Sequence, residues 1–120
     1  DDGNILYEGY FVAGFRDGNG IEYDDKGNII FEGSYSNGYR NGEGKSYFEG
    51  NLYYHGNYLD GYKNGRGKEY DNEGNILYEG NYVNGSREGM GIEYDIEGNI
   101  MLITAVISLL FNLILINILH

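Results

Sequence analysis

Residues Tyr78–Met101 read YEGNYVNGSREGMGIEYDIEGNIM, and this stretch decides the fold. It recurs from Phe31 and from Tyr54, with a looser copy from Tyr7. The third residues of the four copies, Gly9, Gly33, Gly56 and Gly80, stand 24, 23 and 24 positions apart. All 21 glycines fall into columns of this register, including Gly3, which ends a copy whose front is missing. A fixed period of that length marks a repeat array.

Each copy reads as two short strands. In the fourth, the first strand is expected over about Ile76 to Val83, with Ile76, Tyr78, Gly80 and Tyr82 on one face and Leu77, Glu79, Asn81 and Val83 on the other. Asn84-Gly85 marks a tight turn, as Asn37-Gly38 and Asp60-Gly61 do earlier. A second strand is expected over about Gly91 to Asp95, and Asp95–Asn99 turns the chain into the next copy, as do Asp24–Asn28 and Asp71–Asn75. Glycine every two to seven residues excludes a helix. Three aromatic columns result: Tyr7, Phe31, Tyr54, Tyr78; then Phe11, Tyr35, Tyr58, Tyr82; then Tyr23, Tyr47, Tyr70, Tyr94. The glycine between the first two columns leaves room for a ring to lie over bare backbone.

The spacing Tyr78-x-Gly80, then Gly85, Gly89 and Gly91, resembles the MORN repeat, Y-x-G followed by a four-residue gap and G-x-x-x-G-x-G. The resemblance covers residues 1–100: copies at about 7–30, 31–53, 54–77 and 78–101, and the leading fragment DDGNIL. Phe31 replaces Tyr, Ala13 stands before Gly14 where Asn or Asp is usual here, and the second copy is one residue shorter. The resemblance implies an all-β fold, an elongated single-layer array of stacked antiparallel β-hairpins, used as a binding or scaffolding surface. It names no ligand.

Composition narrows the function. With 8 basic against 19 acidic residues the net charge is −11, which repels nucleic acid and disfavours docking of the whole surface on anionic lipid. There is no cysteine, hence no disulfide or thiolate metal site. The chain opens at Asp1 in mid-repeat without a Met, which reads as a fragment or a processed product.

No run of residues reads as an active site or a cofactor site. GYRNGEGKS (38–46) has Tyr39 where a phosphate loop needs its first glycine. The turns DDKGN, DNEGN and DIEGN lack the alternating ligands and distal Glu of a calcium loop. Glu8, Glu32 and Glu79 form a carboxylate column with His55 in the remaining slot, and on an open sheet these are expected to be solvated rather than paired for acid–base work. The columns that suit binding are aromatic (Phe11, Tyr35, Tyr58, Tyr82) and basic (Arg16, Arg40, Lys63, Arg87). Phosphates or acidic partner segments could dock on the basic column, though pairing with nearby acids such as Asp17, Glu43 and Glu88 is the favoured expectation. Phe15, Tyr39 and Tyr62 adjoin three of those cations, a mixture that suits protein contacts.

At residue 102 the pattern stops: Leu102-Ile103-Thr104 stands where Tyr-Glu-Gly is due. Met101–Leu119 carries no charged residue, so residues 101–120 are expected to form a hydrophobic helix, long enough to cross a bilayer, with a capping piece or a non-native end as alternatives. Thr104, Ser108 and Asn112 would line one face of it. The expected function is a non-catalytic scaffold that binds a protein partner. It would be membrane-tethered if the tail spans, and otherwise cytoplasmic. The alternatives are a targeting or regulatory appendage of an enzyme absent from the fragment, or anionic-lipid binding through the basic column. No small-molecule substrate is expected, and an open edge strand gives a route to self-association.

Overall fold

The computed structural model describes residues 6–95 and 100–104. Among these residues nine strands form one open antiparallel sheet in simple chain order. They are β1 (Leu6–Val12), β2 (Phe15–Tyr23), β3 (Ile29–Ser36), β4 (Tyr39–Phe48), β5 (Asn51–Leu59), β6 (Tyr62–Tyr70), β7 (Ile76–Val83), β8 (Ser86–Tyr94) and β9 (Ile100–Thr104). The single-layer hairpin array expected from the repeat is the fold.

Each copy closes on a two-residue turn. Ala13-Gly14, Asn37-Gly38, Asp60-Gly61 and Asn84-Gly85 all place both residues at positive φ, near 50° and then 86–92°. That is the mirror-image turn whose twist matches the strands it joins, and it explains the Asn and Asp before glycine. The turns also fasten neighbouring copies: Gly38, Gly61 and Gly85 donate their backbone N–H to the carbonyls of Arg16, Arg40 and Lys63, each at 2.9 Å. Ala13 is the exception in type, held at φ 52° with a Cβ that the left-handed region penalises. Ala13→Asn is expected to stabilise the array by about 1 kcal/mol, seen as a rise of a few degrees in the thermal midpoint; an unchanged midpoint would contradict the assignment of strain.

Between copies a five-residue loop is built on one carboxylate. Asp24 accepts from the N–H groups of Lys26 (2.9 Å) and Asn28 (2.8 Å), and Asp71 repeats this with Glu73 and Asn75. The short second copy replaces this loop with Glu49-Gly50, a second type of junction with φ of 50° and 83° at its two residues. One deleted residue thus exchanges a carboxylate-centred loop for a tight hairpin turn.

Two strand expectations needed correction. The second strand of copy four begins at Ser86, not near Gly91, because β8 absorbs the glycine-rich segment as a bulge with Gly89 at φ 73°. A further register shift pairs Glu69 with Tyr78 but Tyr70 with Ile76, so Leu77 is the extra residue and Ile76 does not share the Tyr78 face. The C-terminal expectation also changes. Residues 101–104 are not helical: Ile100–Thr104 pairs with β8, through Tyr94↔Ile100, Glu93↔Leu102, Ile92↔Ile103 and Gly91↔Thr104. The unpaired edge of β8 offers a ladder of donors and acceptors, and β-branched Ile100, Ile103 and Thr104 suit it. Thr104 therefore takes the register position that Gly80 takes beside Gly67. The remainder of the expected tail helix, residues 105–120, lies outside the described residues. Among the described residues no helix is long and apolar enough to cross a membrane.

The core sits on one face of this sheet. A line of glycines crosses the strands in register: Gly9, Gly20, Gly33, Gly44, Gly56, Gly67, Gly80 and Gly91. Over each hairpin's pair lies one ring of the first aromatic column. Added Cβ atoms would strike it; on Gly33, for example, the Cβ would stand 2.9 Å from Phe31 Cζ and 2.6 Å from the Glu43 carbonyl oxygen. The rings then meet edge to face in an unbroken series, Phe11–Tyr7–Tyr35–Phe31–Tyr58–Tyr54–Tyr82–Tyr78, with centroids 5.1–5.9 Å apart. Every second contact joins one copy to the next. At roughly 0.5–1.5 kcal/mol beyond area burial for such a pair, this series is the interior of the described sheet. The Tyr54 hydroxyl donates to the Asn57 carbonyl at 3.1 Å, so the buried ring leaves no polar group stranded.

Candidate functional site

The basic column lies on the core face, above the first rings. Arg16 Cζ is 4.6 Å from the Tyr7 centroid, Arg40 Cζ 4.2 Å from Phe31, Lys63 Nζ 4.7 Å from Tyr54 and Arg87 Cζ 4.0 Å from Tyr78. Each cation thus covers a ring with its charge and its methylene stem.

The arginines are also paired, though not with the acids nearest in sequence. Arg40 Nε donates to Glu22 at 3.0 Å, with Arg16 at 3.7 Å from the same carboxylate; Arg87 meets Glu69 at 3.0 Å and Glu93 at 3.3 Å. Glu22, Glu69 and Glu93 occupy one repeat position, and Tyr35 and Tyr82 hydroxyls donate to the first two. Copy two has Ser46 there, which bonds only to the Tyr58 hydroxyl among the described residues. Lys63, the cation that would face it, has no carboxylate within 4 Å among the described residues; burial pushes its pKa down, with Glu69 opposing.

Burial alone would raise the Glu22 carboxyl. Hydrogen bonds from Arg40 and Tyr35 and the charges of Arg40 and Arg16 outweigh it and hold Glu22 below the ordinary carboxylate range. Glu69 is lowered in the same way by Arg87, Tyr82 and Lys63 against its own burial. A carboxylate depressed by folding adds stability above its unfolded value, and that contribution is lost as pH falls through the folded value. Stability is therefore expected to hold from neutrality to about pH 5 and then to decline below about pH 4.5. Glu22→Gln and Glu69→Gln should each flatten that acid limb in denaturation midpoints taken across pH.

The aromatic candidates divide. Tyr35, Tyr58 and Tyr82 are buried within the ring series, so they are not available as an exposed surface; Phe11, at the end of the series, is 59 % exposed. The burial follows from the bare glycine row, which lets each first-column ring drop flat and leaves the second column wedged between copies. Exposed aromatic surface lies instead at Tyr10 (70 %), at Phe48 (64 %) and along the hairpin-turn edge. Phe15, Tyr39 and Tyr62 are 57–60 % exposed, and each lies beside the next turn glycine, Gly38, Gly61 and Gly85, where an added Cβ would meet the ring at 3.4–3.8 Å. Their register partners are Val12, Ser36 and Leu59, which places them on the face opposite the basic column, although each is next in sequence to one of its cations.

That opposite face also carries the carboxylate column. Glu8, Glu32 and Glu79 accept hydrogen bonds from the Tyr23, Tyr47 and Tyr94 hydroxyls, so they are bonded rather than merely solvated. Burial and the Glu32 bond push the Tyr47 hydroxyl up to about 12. His55, in the fourth slot, bonds Glu43 at 2.8 Å. Two open troughs run over the glycine backbone here, of about 510 and 360 Å³, and both are lined by Glu43 and His55.

A single-layer array whose features recur copy by copy along its faces and one edge is a repeat protein of stacked hairpins. The chain belongs to the MORN repeat family: the family's model matches at residues 7–29, 31–51, 54–76 and 78–100. That family is generally used for protein and membrane interactions and is typically non-catalytic. No curated protein matches the chain.

Proposed function

We propose that this chain is a non-catalytic scaffold that binds a protein partner along its hairpin-turn edge. The observation that carries this reading is the exposed stripe of Phe15, Tyr39 and Tyr62 with Val12, Leu59 and Val83, all of them 45 % exposed or more. An apolar stripe of this kind, interrupted at Ser36 and Ser86, on a strongly acidic protein is kept for a partner more readily than for solvent. The paired state of Arg16, Arg40 and Arg87 counts against the alternative in which the basic column holds anionic lipid.

The test is capture of a partner, identified by crosslinking in cells, with the wild-type chain and with a Phe15→Ser/Tyr39→Ser/Tyr62→Ser variant. The variant should fold normally, since none of the three rings is in the core, and should lose the partner. Retention of the partner by a folded variant contradicts the reading.

Membrane tethering is a second reading, favoured by the uncharged run through Leu119. With Thr104 in the sheet, the uncharged residues beyond it are 105–119, fewer than the ~20 that a helical span takes. Carbonate washing of membranes from cells making the full chain, beside a version ending at Thr104, decides it: retention of the full chain alone supports the tether.

A further inference from the structure

The repeats act as controls on one another, and the second copy departs from the rest at one charged position of the core face. Glu22, Ser46, Glu69 and Glu93 occupy equivalent places, each two residues after a glycine of the bare row. Glu22 accepts hydrogen bonds from Tyr35 and Arg40, with Arg16 at 3.7 Å. Glu69 accepts from Tyr82 and from Arg87, through Nε and Nη2 at 3.0 Å each. In both pairs the arginine stands 18 positions beyond its carboxylate. The second copy is one residue shorter, and the same step leads there from Ser46 to Lys63.

Lys63 keeps the placement of its counterparts but lacks their acid. Its Nζ lies 4.7 Å from the Tyr54 centroid, much as Arg40 and Arg87 lie over Phe31 and Tyr78. Among the described residues no carboxylate stands within 4 Å of it, whereas Arg16, Arg40 and Arg87 each have one. Glu69 acts on it only at longer range, with both oxygens held by Arg87. No buried side-chain nitrogen among the described residues lacks a hydrogen-bond partner, so the Lys63 ammonium opens to solvent. Above the rings, four cations (Arg16, Arg40, Lys63, Arg87) therefore meet three carboxylates (Glu22, Glu69, Glu93), and the unmatched charge falls at Lys63. Its register partner is Tyr58, whose hydroxyl bonds that of Ser46. That bond uses one of the two hydroxyl hydrogens and leaves the other for an acceptor.

We infer that Lys63, with the Tyr58 and Ser46 hydroxyls beside it, is a binding site for the side-chain carboxylate of one Asp or Glu of a partner protein. The partner completes in trans the pair that the other copies make within the chain. Those copies name the ligand chemistry, because what occupies this place in them is a single carboxylate. One unmatched charge suits one carboxylate. A bilayer or a nucleic acid brings many anionic groups, and the next ones would meet Glu22 and Glu69, roughly 10 Å away on either side. A lone ion pair at a surface contributes little, so the carboxylate is expected to arrive on a protein that makes further contacts. The inference does not rest on the hairpin-edge stripe, which lies on the opposite face.

The experiment is an NMR titration of the lysine side-chain signals of the full chain with the blocked peptide Gly-Glu-Gly, beside Gly-Gln-Gly at matched ionic strength. The Glu peptide should shift the Lys63 signals along a saturable curve and leave those of exposed Lys26 unmoved, and the Gln peptide should move neither. Ser46→Glu supplies the carboxylate in cis, so it should weaken peptide binding at least tenfold and raise the thermal midpoint by a few degrees. In a Lys63→Gln background that rise should disappear, a coupling that a merely local effect of residue 46 would not show. Equal shifts with the two peptides, equal shifts at Lys26, or peptide binding unchanged by Ser46→Glu overturns the inference. So does tighter binding of acetate or of phosphatidylserine vesicles, which would make the ligand a free ion or a headgroup. The Phe15→Ser/Tyr39→Ser/Tyr62→Ser variant keeps Lys63 and Ser46 and must still give the Lys63 shifts, so the two readings fail separately.

Discussion

Tyr54→Ala is expected to cost about 3–5 kcal/mol, the largest loss from any single truncation in the array. The Tyr54 side chain is fully buried, covers Gly56 and Gly67, meets Tyr58 and Tyr82 edge to face, and lies beneath the Lys63 ammonium. Its removal opens a void that the sheet cannot fill, because the residues below are glycines and a single layer has no opposing core to move in. Tyr54→Phe removes only the hydroxyl bond to Asn57 and should cost roughly 1 kcal/mol, the second copy already using Phe31 at this position. Urea denaturation followed by far-UV dichroism measures both. Because the ring series is the link between copies, Tyr54→Ala should also broaden the transition as the two halves begin to melt separately. A loss below about 1 kcal/mol for Tyr54→Ala would mean that the rings are not the core.

Gly56→Ala is expected to rival it at about 3 kcal/mol, although it adds only a methyl group. The new Cβ would lie 2.5 Å from Gly67 Cα and 2.6 Å from the Arg66 carbonyl oxygen. Both are backbone atoms, so relief requires the strands to part rather than a side chain to swing aside. Gly74→Ala supplies the contrast. Nothing lies within 4 Å of its Cβ position, and the penalty there is the φ of +87° alone, about 1–2 kcal/mol. If the two substitutions cost the same, the glycine row is conformational in purpose and not steric.

The hairpins were legible because glycine and tyrosine fall into columns, and the turn residues Asn84-Gly85 and Asp71–Asn75 each name their own geometry. The strand β7 was placed to the residue. Its partner was not, because Ser86–Gly91 has the composition of a loop, and only cross-strand register reveals that it pairs through a bulge. The glycine between Tyr78 and Tyr82 did signal a ring over bare backbone. What the spacing could not convey is that Tyr35, Tyr58 and Tyr82 are thereby buried, since burial here depends on the neighbouring copy and not on any residue nearby in sequence. The same limit hid the ion pairs: Arg40 reaches back 18 positions to Glu22 rather than forward to nearby Glu43. The break at His55 was visible as an odd residue in a carboxylate column. That Lys45 and Lys68 flank it across the strands is visible only in the register. At Leu102 the chemistry of the repeat ends but its hydrogen-bond ladder does not, and side-chain pattern is blind to that difference.

Strand order that equals chain order also bears on how the molecule acquires its shape. Every strand pairs only with its predecessor and its successor, and no pairing has to wait for a distant segment. Loop-closure entropy is therefore small at each step, and low separation between partners is the condition under which sheets form quickly. A hairpin can begin the process anywhere in the chain, and each added copy then docks its ring onto one already in place. During synthesis the first copies can zip before the last have left the ribosome, and the growing edge is always covered by the next strand to emerge. For a sheet protein with long exposed borders, that ordering shortens the time in which an unpaired strand can meet the wrong neighbour.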